Sequence, residues 1–265
     1  MRLKDKSLVI IGGTTGLGLS AARAFIAEGA RVIVVGRRQE SADQAQQQLG
    51  DRARTLIWEA SDPECAPQAI QKALNDHGAF HGLYHVAGGS GRAAGDGALH
   101  EISDEGWDYT LRLNLTSLFN SNRAAVQQFL KQGTGGTVLN MSSVLAFSPS
   151  PKFFATHAYA TAKAAIIGLT SAAAAHYARQ NIRFNVLAPA LVATPMSQRA
   201  QGNEAIMDFI AAKQPLDGGR IGQPEDLDSA SVFFMSDESK FATGQVLALD
   251  GGWSVSEGTY GDADQ

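Results

Sequence analysis

Tyr159 and Lys163 have the residue types and the spacing for acid–base chemistry, because they lie four positions apart. On a helix, residues four apart share one face, so the Lys163 ammonium can lie beside the Tyr159 phenol. A free phenol titrates near pH ~10, and a nearby positive charge favours the phenolate and lowers its pKa. The pair therefore predicts a tyrosine that exchanges protons near neutral pH. The alternative is a packed tyrosine beside a solvated lysine.

A glycine-rich turn, with Gly12, Gly16 and Gly18, stands near the start of the chain. It follows the apolar run 8–11 and precedes a predicted helix over Leu19–Glu28. Strand, glycine turn and helix together are typical of a dinucleotide pyrophosphate site, because the backbone can approach the phosphates and the helix offers free N–H groups. This order of elements predicts a bound dinucleotide.

From Leu3 to about Trp253 these motifs resemble the classical short-chain dehydrogenase/reductase family. Further matching stretches are residues 140–144, 185–189, 194–195, 220–226 and 244–252. The resemblance implies that chemistry is carried by Asn114, Ser143, Tyr159 and Lys163, with Ser142 as the competing choice for the serine. Ser143 would bond the substrate oxygen, Tyr159 would exchange its proton, and Lys163 would lower the Tyr159 pKa and hold the nicotinamide ribose. Asn114 would anchor a water that relays protons.

The resemblance also implies the cofactor-binding positions, with the Val192 backbone and Thr194 orienting the nicotinamide carboxamide. They are Gly12, Thr14, Thr15, Gly16, Leu17, Gly18, Arg37, Arg38, Glu59, Ala60, Ala87, Gly88, Tyr159, Lys163, Pro189, Val192 and Thr194. The chain departs from the family pattern in three places. His85 and Val86 replace two asparagines, Glu59 stands for an Asp near the adenine, and Ala190 replaces a glycine.

The residues after the second predicted strand bear on the choice between NADP(H) and NAD(H). NAD enzymes place an acid there for the ribose 2′-hydroxyl, whereas this chain has Gly36 followed by Arg37 and Arg38. A guanidinium can bind a 2′-phosphate through two hydrogen bonds. The sequence therefore predicts a preference for NADP(H) over NAD(H). Solvated arginines with weak selectivity are the alternative, since Thr15 adds a hydroxyl but no second cation.

Composition bounds the function classes. A chain of 265 residues with net charge −4 can bury one α/β core and does not indicate a nucleic-acid partner. The single Cys65 excludes an internal disulfide and fits a reducing compartment. The apolar run before Gly12 is too short for a signal segment, and no run reaches the ~20 residues that cross a bilayer. We predict a cytoplasmic protein without membrane contact.

The strands read as apolar throughout, as expected where helices cover both faces of a sheet. This predicts a single-domain, Rossmann-like, doubly wound α/β fold with about seven parallel strands flanked by helices. Predicted helices include Asp104–Lys131 and His157–Arg179. The domain would span 1–253, with a loosely ordered tail over 254–265. The predicted strands are Ser7–Ile11, Arg31–Val35, Thr55–Trp58, Gly82–Val86, Gly136–Met141, Ile182–Leu187 and Gln245–Leu249.

Substrate residues are harder to assign. Phe147, Phe153 and Phe154 could wall an apolar pocket or pack in an exposed loop. Residues 196–217 take the place of the family's substrate lid, with a short helix around Ala205–Ala212. Arg92 could reach a substrate carboxylate, although a solvated loop arginine is the simpler interpretation.

The resemblance implies a hydride transfer between NADP(H) and a small carbonyl or alcohol, with 3-oxoacyl carrier protein, ketone and polyol substrates all open. A non-catalytic NADP(H) sensor is the alternative. We predict no metal site, because Gly78 and Gly82 interrupt the spacing of His77, His81 and His85. Small residues such as Ala172–Ala175 on the long helices permit close helix packing, and the resemblance implies that such faces form a homotetramer or homodimer. Packing of the same alanines within one molecule is the alternative.

Overall fold

The computed structural model describes residues 1–258, and within them seven strands form one sheet. The predicted fold class is confirmed. β3 begins two residues earlier than expected because Ala53 already pairs with Val32 of β2. The strands are β1 (Ser7–Ile11), β2 (Arg31–Gly36), β3 (Ala53–Ile57), β4 (Gly82–His85), β5 (Gly136–Met141), β6 (Ile182–Pro189) and β7 (Val246–Leu249).

All strand pairs are parallel, in the order β3-β2-β1-β4-β5-β6-β7. The strand order reverses beside β1, which pairs with β2 on one side and β4 on the other. Ile11 lies level with Val35 and with His85. The loops that follow β1 and β4 therefore begin side by side at the carboxyl edge of the sheet, where open α/β sheets bind their ligands.

Helices connect the strands on both faces of the sheet. Helix α1 begins three residues earlier than predicted, since Thr15 in extended conformation is its N-cap and two glycines occupy its first turn. The helices are α1 (Gly16–Ala27), α2 (Gln39–Leu49), α3 (Cys65–His77), α4 (Asp104–Leu111), α5 (Ser117–Gln132), α6 (Pro151–Phe154), α7 (His157–Tyr177), α8 (Gln198–Gln201), α9 (Glu204–Lys213) and α10 (Asp228–Met235).

The predicted helix Asp104–Lys131 is interrupted in the middle. A π-helical turn, Arg112–Thr116, joins α4 to α5 and contains Asn114. Such turns insert an extra residue into a helix and occur frequently at functional sites.

The core consists of two apolar layers, one on each face of the sheet. Leu8 and Ile10 of β1 pack into one layer, and Val9 and Ile11 pack into the other. Burial on both faces explains why the strand sequences are apolar rather than alternating. None of the helices in residues 1–258 is long and apolar enough to cross a membrane.

A third apolar cluster, which includes Trp253, Ile206 and Ile210, joins the region of α8 and α9 to the end of the described chain. The next residues also hold α9, because Lys213 donates to the Ser256 carbonyl and Ser256 donates to the Ala212 carbonyl. Residues 254–258 of the predicted loose tail thus form specific contacts. Residues 259–265 lie outside the described residues.

Candidate active site

Tyr159 and Lys163 lie in the first turns of α7, on its buried face. Tyr159 is 9% exposed and Lys163 only 3%. The Lys163 Nζ atom lies 5.4 Å from the centroid of the Tyr159 ring and donates a hydrogen bond of 2.9 Å to the Met141 carbonyl at the end of β5. The sequence spacing thus brings the phenol and the ammonium together at the carboxyl edge of the sheet.

Burial controls the protonation of both groups. It raises the pKa of Tyr159 to about 12, against the opposing hydrogen bond of Ser143. It also lowers the pKa of Lys163 to about 7, because removing water disfavours the charged form of each side chain. The chain alone therefore does not show the predicted lowering of the Tyr159 pKa by Lys163. A lysine that titrates near neutrality can itself gain and lose a proton.

The two serines after β5 do different work. Ser142 is buried, and its Oγ donates a 2.7 Å hydrogen bond to the backbone carbonyl of Lys163. Ser143 instead accepts a bond of 3.2 Å from the Leu145 N–H and faces a cavity together with Tyr159. The geometry therefore favours Ser143 over Ser142 as the serine that meets a substrate.

Asn114 is completely buried in the π-helical turn. Its Nδ2 donates to the carbonyls of Gly89 and Thr110, both at 2.9 Å, and its Oδ1 accepts from the Gly89 N–H at 3.1 Å. A Cβ added at Gly88 would lie 2.6 Å from Asn114 Oδ1 and 3.5 Å from Lys163 Nζ. Asn114 thus holds the loop after β4 against the end of the Lys163 side chain.

The glycine turn lies against the loop after β4, and no side chain fits between them. A Cβ added at Gly12 would lie 2.7 Å from the backbone N of Ala87, and one at Gly18 would lie 2.1 Å from the Gly12 carbonyl oxygen. Gly12 and Gly16 both have positive φ, at 88° and 51°, which glycine adopts without a steric penalty. The result is a backbone cradle at the N-terminus of α1, as a pyrophosphate requires.

The side chains in this turn have separate environments. Thr14 is buried, and its Oγ1 would lie 2.1 Å from a Cβ added at Gly36. Thr15 is exposed at the start of α1, whereas Leu17 packs against the core. Of these, only Thr15 offers an exposed side-chain hydroxyl.

Arg37 and Arg38 follow β2 and are exposed. Arg37 forms an ion pair of 4.0 Å with Glu59, which is 47% exposed. Ala60 packs against the apolar layer on its face of the sheet. The predicted adenosine-side residues therefore lie together at one corner of the cradle, with an acid beside the arginine proposed for the phosphate.

The predicted nicotinamide-side residues follow β6, which ends at Pro189. Val192 bridges to Gly222 as an isolated parallel pair. Thr194 caps a short 3₁₀ turn, its N–H donating to Ser197 Oγ at 3.0 Å. A Cβ added at Gly16 would lie 3.3 Å from Thr194 Cγ2, so this loop borders the glycine turn. The structure thus places the predicted nicotinamide-side loop next to the predicted pyrophosphate turn.

Comparison with known proteins agrees with this arrangement. The family profile described as enoyl-(acyl carrier protein) reductase matches residues 12–254. A 3-oxoacyl-[acyl-carrier-protein] reductase from Thermotoga maritima is 31% identical over 95% of this chain and 99% of its own length. The chain belongs to the classical short-chain dehydrogenase/reductase family.

Two further relatives are similar over nearly the full length. An NADP-dependent (R)-specific alcohol dehydrogenase from Lentilactobacillus kefiri is 32% identical over 96% of this chain and 98% of its own. A short-chain dehydrogenase/reductase from Mycobacterium ulcerans superposes with a TM-score of 0.88 at 27% identity, covering 97% of this chain and 92% of the other. These similarities identify the chain as an oxidoreductase of this family.

One residue of this short-chain dehydrogenase/reductase escaped the sequence analysis. Asp96, 5% exposed, accepts hydrogen bonds of 3.0 Å from the backbone N–H groups of Ala158 and Tyr159 at the start of α7. Carboxylates are favoured at helix N-termini. The separation of 62 residues between Asp96 and Ala158 hides this cap from any local motif.

His85, at the position of a family asparagine, is buried at 1% exposure. Its Nδ1 lies 3.0 Å from Ser121 Oγ and its Nε2 lies 3.4 Å from Ser117 Oγ. Burial, with a smaller contribution from Lys163, lowers the pKa of His85 to about 3. The ring is therefore neutral and fixes the end of β4 to α5, a structural task.

A cavity of about 120 Å³ lies beside Ser143 and Tyr159. Of the three phenylalanines that could either wall a pocket or pack in an exposed loop, one takes the first role. Phe154 lines the cavity, whereas Phe147 is 46% exposed and the ring of Phe153 packs at a tilt against Phe209, with 5.2 Å between the ring centroids. The remaining lining residues are Ser90, Arg92, Val144, Leu145, Thr156, Ala190, Leu191, Met196, Ser197, Arg199, Ala200 and Trp253.

The other polar clusters lie away from this chemistry. His77 Nδ1 contacts Ser7 Oγ at 2.8 Å, and His81 Nδ1 accepts from the Ser7 N–H at 2.9 Å. Within residues 1–258 no group of three metal-ligating side chains occurs. A larger groove, of about 870 Å³ with His81 and Phe241 among its walls, contains none of the predicted site residues.

Proposed function

We propose that the chain is an NADP(H)-dependent oxidoreductase that interconverts a carbonyl compound and a secondary alcohol. The observation that carries this proposal is that Ser143 and Tyr159 face one cavity while Lys163 is buried beside the Tyr159 ring. The bound nicotinamide would supply or accept the hydride.

Ser143 and Tyr159 would bind the substrate oxygen and exchange a proton with it. Ser143 Oγ donates a hydrogen bond to the oxygen on which negative charge develops, the position where a fixed donor lowers the barrier most. The Tyr159 hydroxyl gives its proton to that oxygen in reduction and removes it in oxidation. Ser142 and Asp96 fix the start of α7, so the Tyr159 phenol keeps its place relative to Ser143.

Lys163 would supply the positive charge beside Tyr159 and take part in proton transfer. With a pKa near 7, it exists in both protonation states at neutral pH and can pass a proton onward after Tyr159 has reacted. As the ammonium, it stabilises a phenolate at Tyr159 by charge attraction. Asn114 supports this indirectly by fixing Gly88 and Gly89 next to Lys163.

The cofactor would lie along the carboxyl edge of the sheet. Its pyrophosphate would contact the backbone at Gly12, Gly16 and Gly18, and an added Cβ at Gly12 or Gly18 would clash with backbone atoms. The 2′-phosphate would lie at Arg37 and Arg38, and the nicotinamide at Pro189, Val192 and Thr194. The NADP-dependent relative from Lentilactobacillus kefiri supports a preference for NADP(H). Gly36 stands where NAD enzymes have an acidic residue, which would repel the 2′-phosphate.

Substrates of the relatives limit the choice to carbonyl and alcohol compounds. The Thermotoga maritima relative is a 3-oxoacyl-[acyl-carrier-protein] reductase and the Lentilactobacillus kefiri relative an alcohol dehydrogenase. We propose a reductase of the same general type acting on a 3-oxoacyl thioester, a ketone or a polyol. The single cysteine supports a cytoplasmic location.

We also propose a homotetramer or homodimer. An exposed row of small residues, Ala164, Gly168 and Ala172, runs along α7 at helical spacing, and such rows let two helices approach closely. Phe119 and Leu130 on α5 are 43% and 49% exposed. Light scattering of the purified protein measures the assembly state.

The test of the reaction is the rate of NADPH and NADH oxidation over a panel of 3-oxoacyl thioesters, ketones and keto-sugars. Wild-type protein is compared with Tyr159→Phe, and Tyr177→Phe at the far end of α7 is the matched control. Turnover that is lost in Tyr159→Phe and kept in Tyr177→Phe supports the proposal. Tight NADPH binding without turnover of any compound would contradict it and favour an NADP(H) sensor.

A further inference from the structure

Two arginines from different segments meet at the substrate cavity. Arg92 lies in a 3₁₀ turn after β4, and Arg199 lies in α8. Both line the cavity that contains Ser143 and Tyr159. Their Nη2 atoms donate to the same acceptor, the Phe153 carbonyl, at 3.2 and 3.3 Å.

Neither guanidinium has an acidic partner. Among residues 1–258, no carboxylate lies within ion-pair distance of Arg92 or Arg199, and the cavity lining includes no Asp or Glu. The acid that most influences Arg92 is Asp96, but both of its oxygens accept backbone N–H groups of α7. Two cations therefore share one neutral acceptor.

Arg92 is half-buried whereas Arg199 is exposed, so the cost of this arrangement falls on Arg92. Burial and the charge of Arg199 both lower the pKa of Arg92. A partly buried cation costs free energy unless an anion or several acceptors compensate it. A guanidinium has several N–H donors in a planar fork. The hydrogen bond to the Phe153 carbonyl uses one nitrogen of each arginine. The other donors remain for a ligand.

We propose that Arg92 and Arg199 form an anion-binding subsite, and that the substrate is a small ketone or alcohol that carries a carboxylate or a similar oxyanion. This inference rests on the proposed oxidoreductase function and specifies its substrate class. The cavity of about 120 Å³ fits a compact molecule whose carbonyl meets Ser143 and Tyr159 while its anionic end meets the arginines. An anion held by both would also join α8 to the turn after β4.

The experiment measures binding and turnover separately. Binding of 3-oxobutanoate, 4-oxopentanoate and 5-oxohexanoate to the protein loaded with NADP⁺ is measured by calorimetry, beside the corresponding neutral amides. Turnover of the same pairs is measured with NADPH, beside 3-oxobutanoyl-N-acetylcysteamine as a neutral thioester. The variants are Arg92→Gln, Arg199→Gln and the double variant, with Arg179→Gln beyond the end of α7 as the matched control.

We expect at least one carboxylate to bind and react better than its amide. The double variant should lower the affinity and the kcat/KM of that carboxylate by about ten- to one-hundred-fold, the range for charge-assisted hydrogen bonds. The amide should change by less than about twofold, and Arg179→Gln should match wild type. Replacement of each arginine by Lys should restore only part of the loss, because the planar fork is missing.

Three results would overturn the subsite. They are equal binding of carboxylates and amides, no binding of any carboxylate, and preferred turnover of the neutral thioester. Failure of the reaction itself looks different: carboxylates bind in an arginine-dependent way, but no compound is reduced and Tyr159→Phe changes nothing. Tyr159-dependent reduction without a charge preference leaves the oxidoreductase in place and removes the subsite.

Discussion

The carboxylate of Asp96 accepts the backbone N–H of Tyr159 at 3.0 Å, so a loop residue after β4 fixes the start of the helix that carries the proposed acid–base group. Its second oxygen accepts the Ala158 N–H at the same distance. The negative charge lies at the positive end of the α7 dipole. Asp96 thus links the segment that borders Asn114 with the segment that presents Tyr159 to the cavity.

We expect Asp96→Ala to reduce both stability and turnover. Two hydrogen bonds to a buried carboxylate disappear, so the free energy of unfolding should fall by about 2 kcal/mol. Because the Tyr159 backbone loses its anchor, kcat should fall about tenfold while the KM for the cofactor stays unchanged. Asp96→Asn keeps one acceptor oxygen and should restore part of kcat. Denaturant unfolding and steady-state kinetics measure these effects.

The control for Asp96 is another helix cap in the same protein. Ser103 caps α4, its Oγ accepting the Gly106 N–H at 3.0 Å. Ser103→Ala should lower stability by about 1 kcal/mol and leave kcat near wild type. An equal loss of kcat in both variants would show that Asp96 acts through general stability rather than through Tyr159.

The serines after β5 provide a second matched pair. Ser143→Ala removes the donor that faces the cavity, so kcat should fall about one hundred-fold or more with little change in thermal unfolding. Ser142→Ala removes the bond to the Lys163 carbonyl, so it should lower stability by about 1 kcal/mol with a smaller loss of kcat. The reverse pattern would assign the substrate contact to Ser142.

Arg37 should determine the preference for NADPH. Arg37→Ala should lower kcat/KM for NADPH by about tenfold or more, the value of a charge-assisted hydrogen bond, and leave NADH unchanged. Glu59→Gln removes the acid 4.0 Å from Arg37 and should act in the opposite direction. Arg54→Ala on β3 is the control. Equal losses with both cofactors in Arg37→Ala would contradict a phosphate contact.

Gly36→Asp should not by itself convert the enzyme to NADH. A Cβ at this position would lie 2.1 Å from Thr14 Oγ1, so the new side chain displaces the glycine turn and weakens both cofactors. Gly36→Asp combined with Thr14→Gly relieves the clash and should favour NADH through the ribose hydroxyls. Fluorescence titration with both cofactors compares the two variants. A clean switch in the single variant would refute the steric argument.

The cofactor-free protein should become more stable as pH rises from about 7 to 9. In the folded state the pKa of Lys163 is about 7 rather than 10.5, so in this window the unfolded chain binds the extra proton. The free energy of unfolding should therefore rise by up to about 1.4 kcal/mol per pH unit. Above pH ~9 the buried Cys65 thiol, whose folded pKa is about 12 rather than 9.0, opposes this gain. Above pH ~10 the trend reverses, because burial also raises the pKa values of Tyr159 and Tyr84.

Lys163→Met keeps the length of the side chain without the titrating group. Its free energy of unfolding should be flatter across this window. Urea unfolding of both proteins at half-unit pH steps measures the difference. Identical slopes would mean that Lys163 keeps its charge in the folded protein.

Much of the fold followed from local pattern. The mostly apolar stretches predicted β1 and β5 to the residue, because helices on both faces of the sheet favour apolar side chains along the whole strand. Similarly, the lid helix predicted at Ala205–Ala212 extends over Glu204–Lys213. The sequence motifs also predicted that the residues bordering Lys163 lie close together, because parallel strands end at a common edge of the sheet.

What could not be predicted depends on contacts between distant segments. The capping role of Asp96 needs the loop after β4 to reach α7, and the π-helical turn at Asn114 has no local signal in its residues. The pairing of Arg92 with Arg199 appears only when α8 folds over the loop. Likewise, the environment of Phe153 is set by Phe209, so its type alone could not show that it turns away from the cavity.

The position of Trp253 has a consequence for the newly made protein. Its indole lines the cavity and donates to the Ser148 carbonyl at 3.1 Å, yet it follows all seven strands in the sequence. The glycine turn and Arg37, by contrast, are translated early. A growing polypeptide can therefore possess the dinucleotide side of its site while one wall of the substrate cavity has not been synthesised. That wall of the substrate cavity is therefore synthesised only after every strand of the sheet.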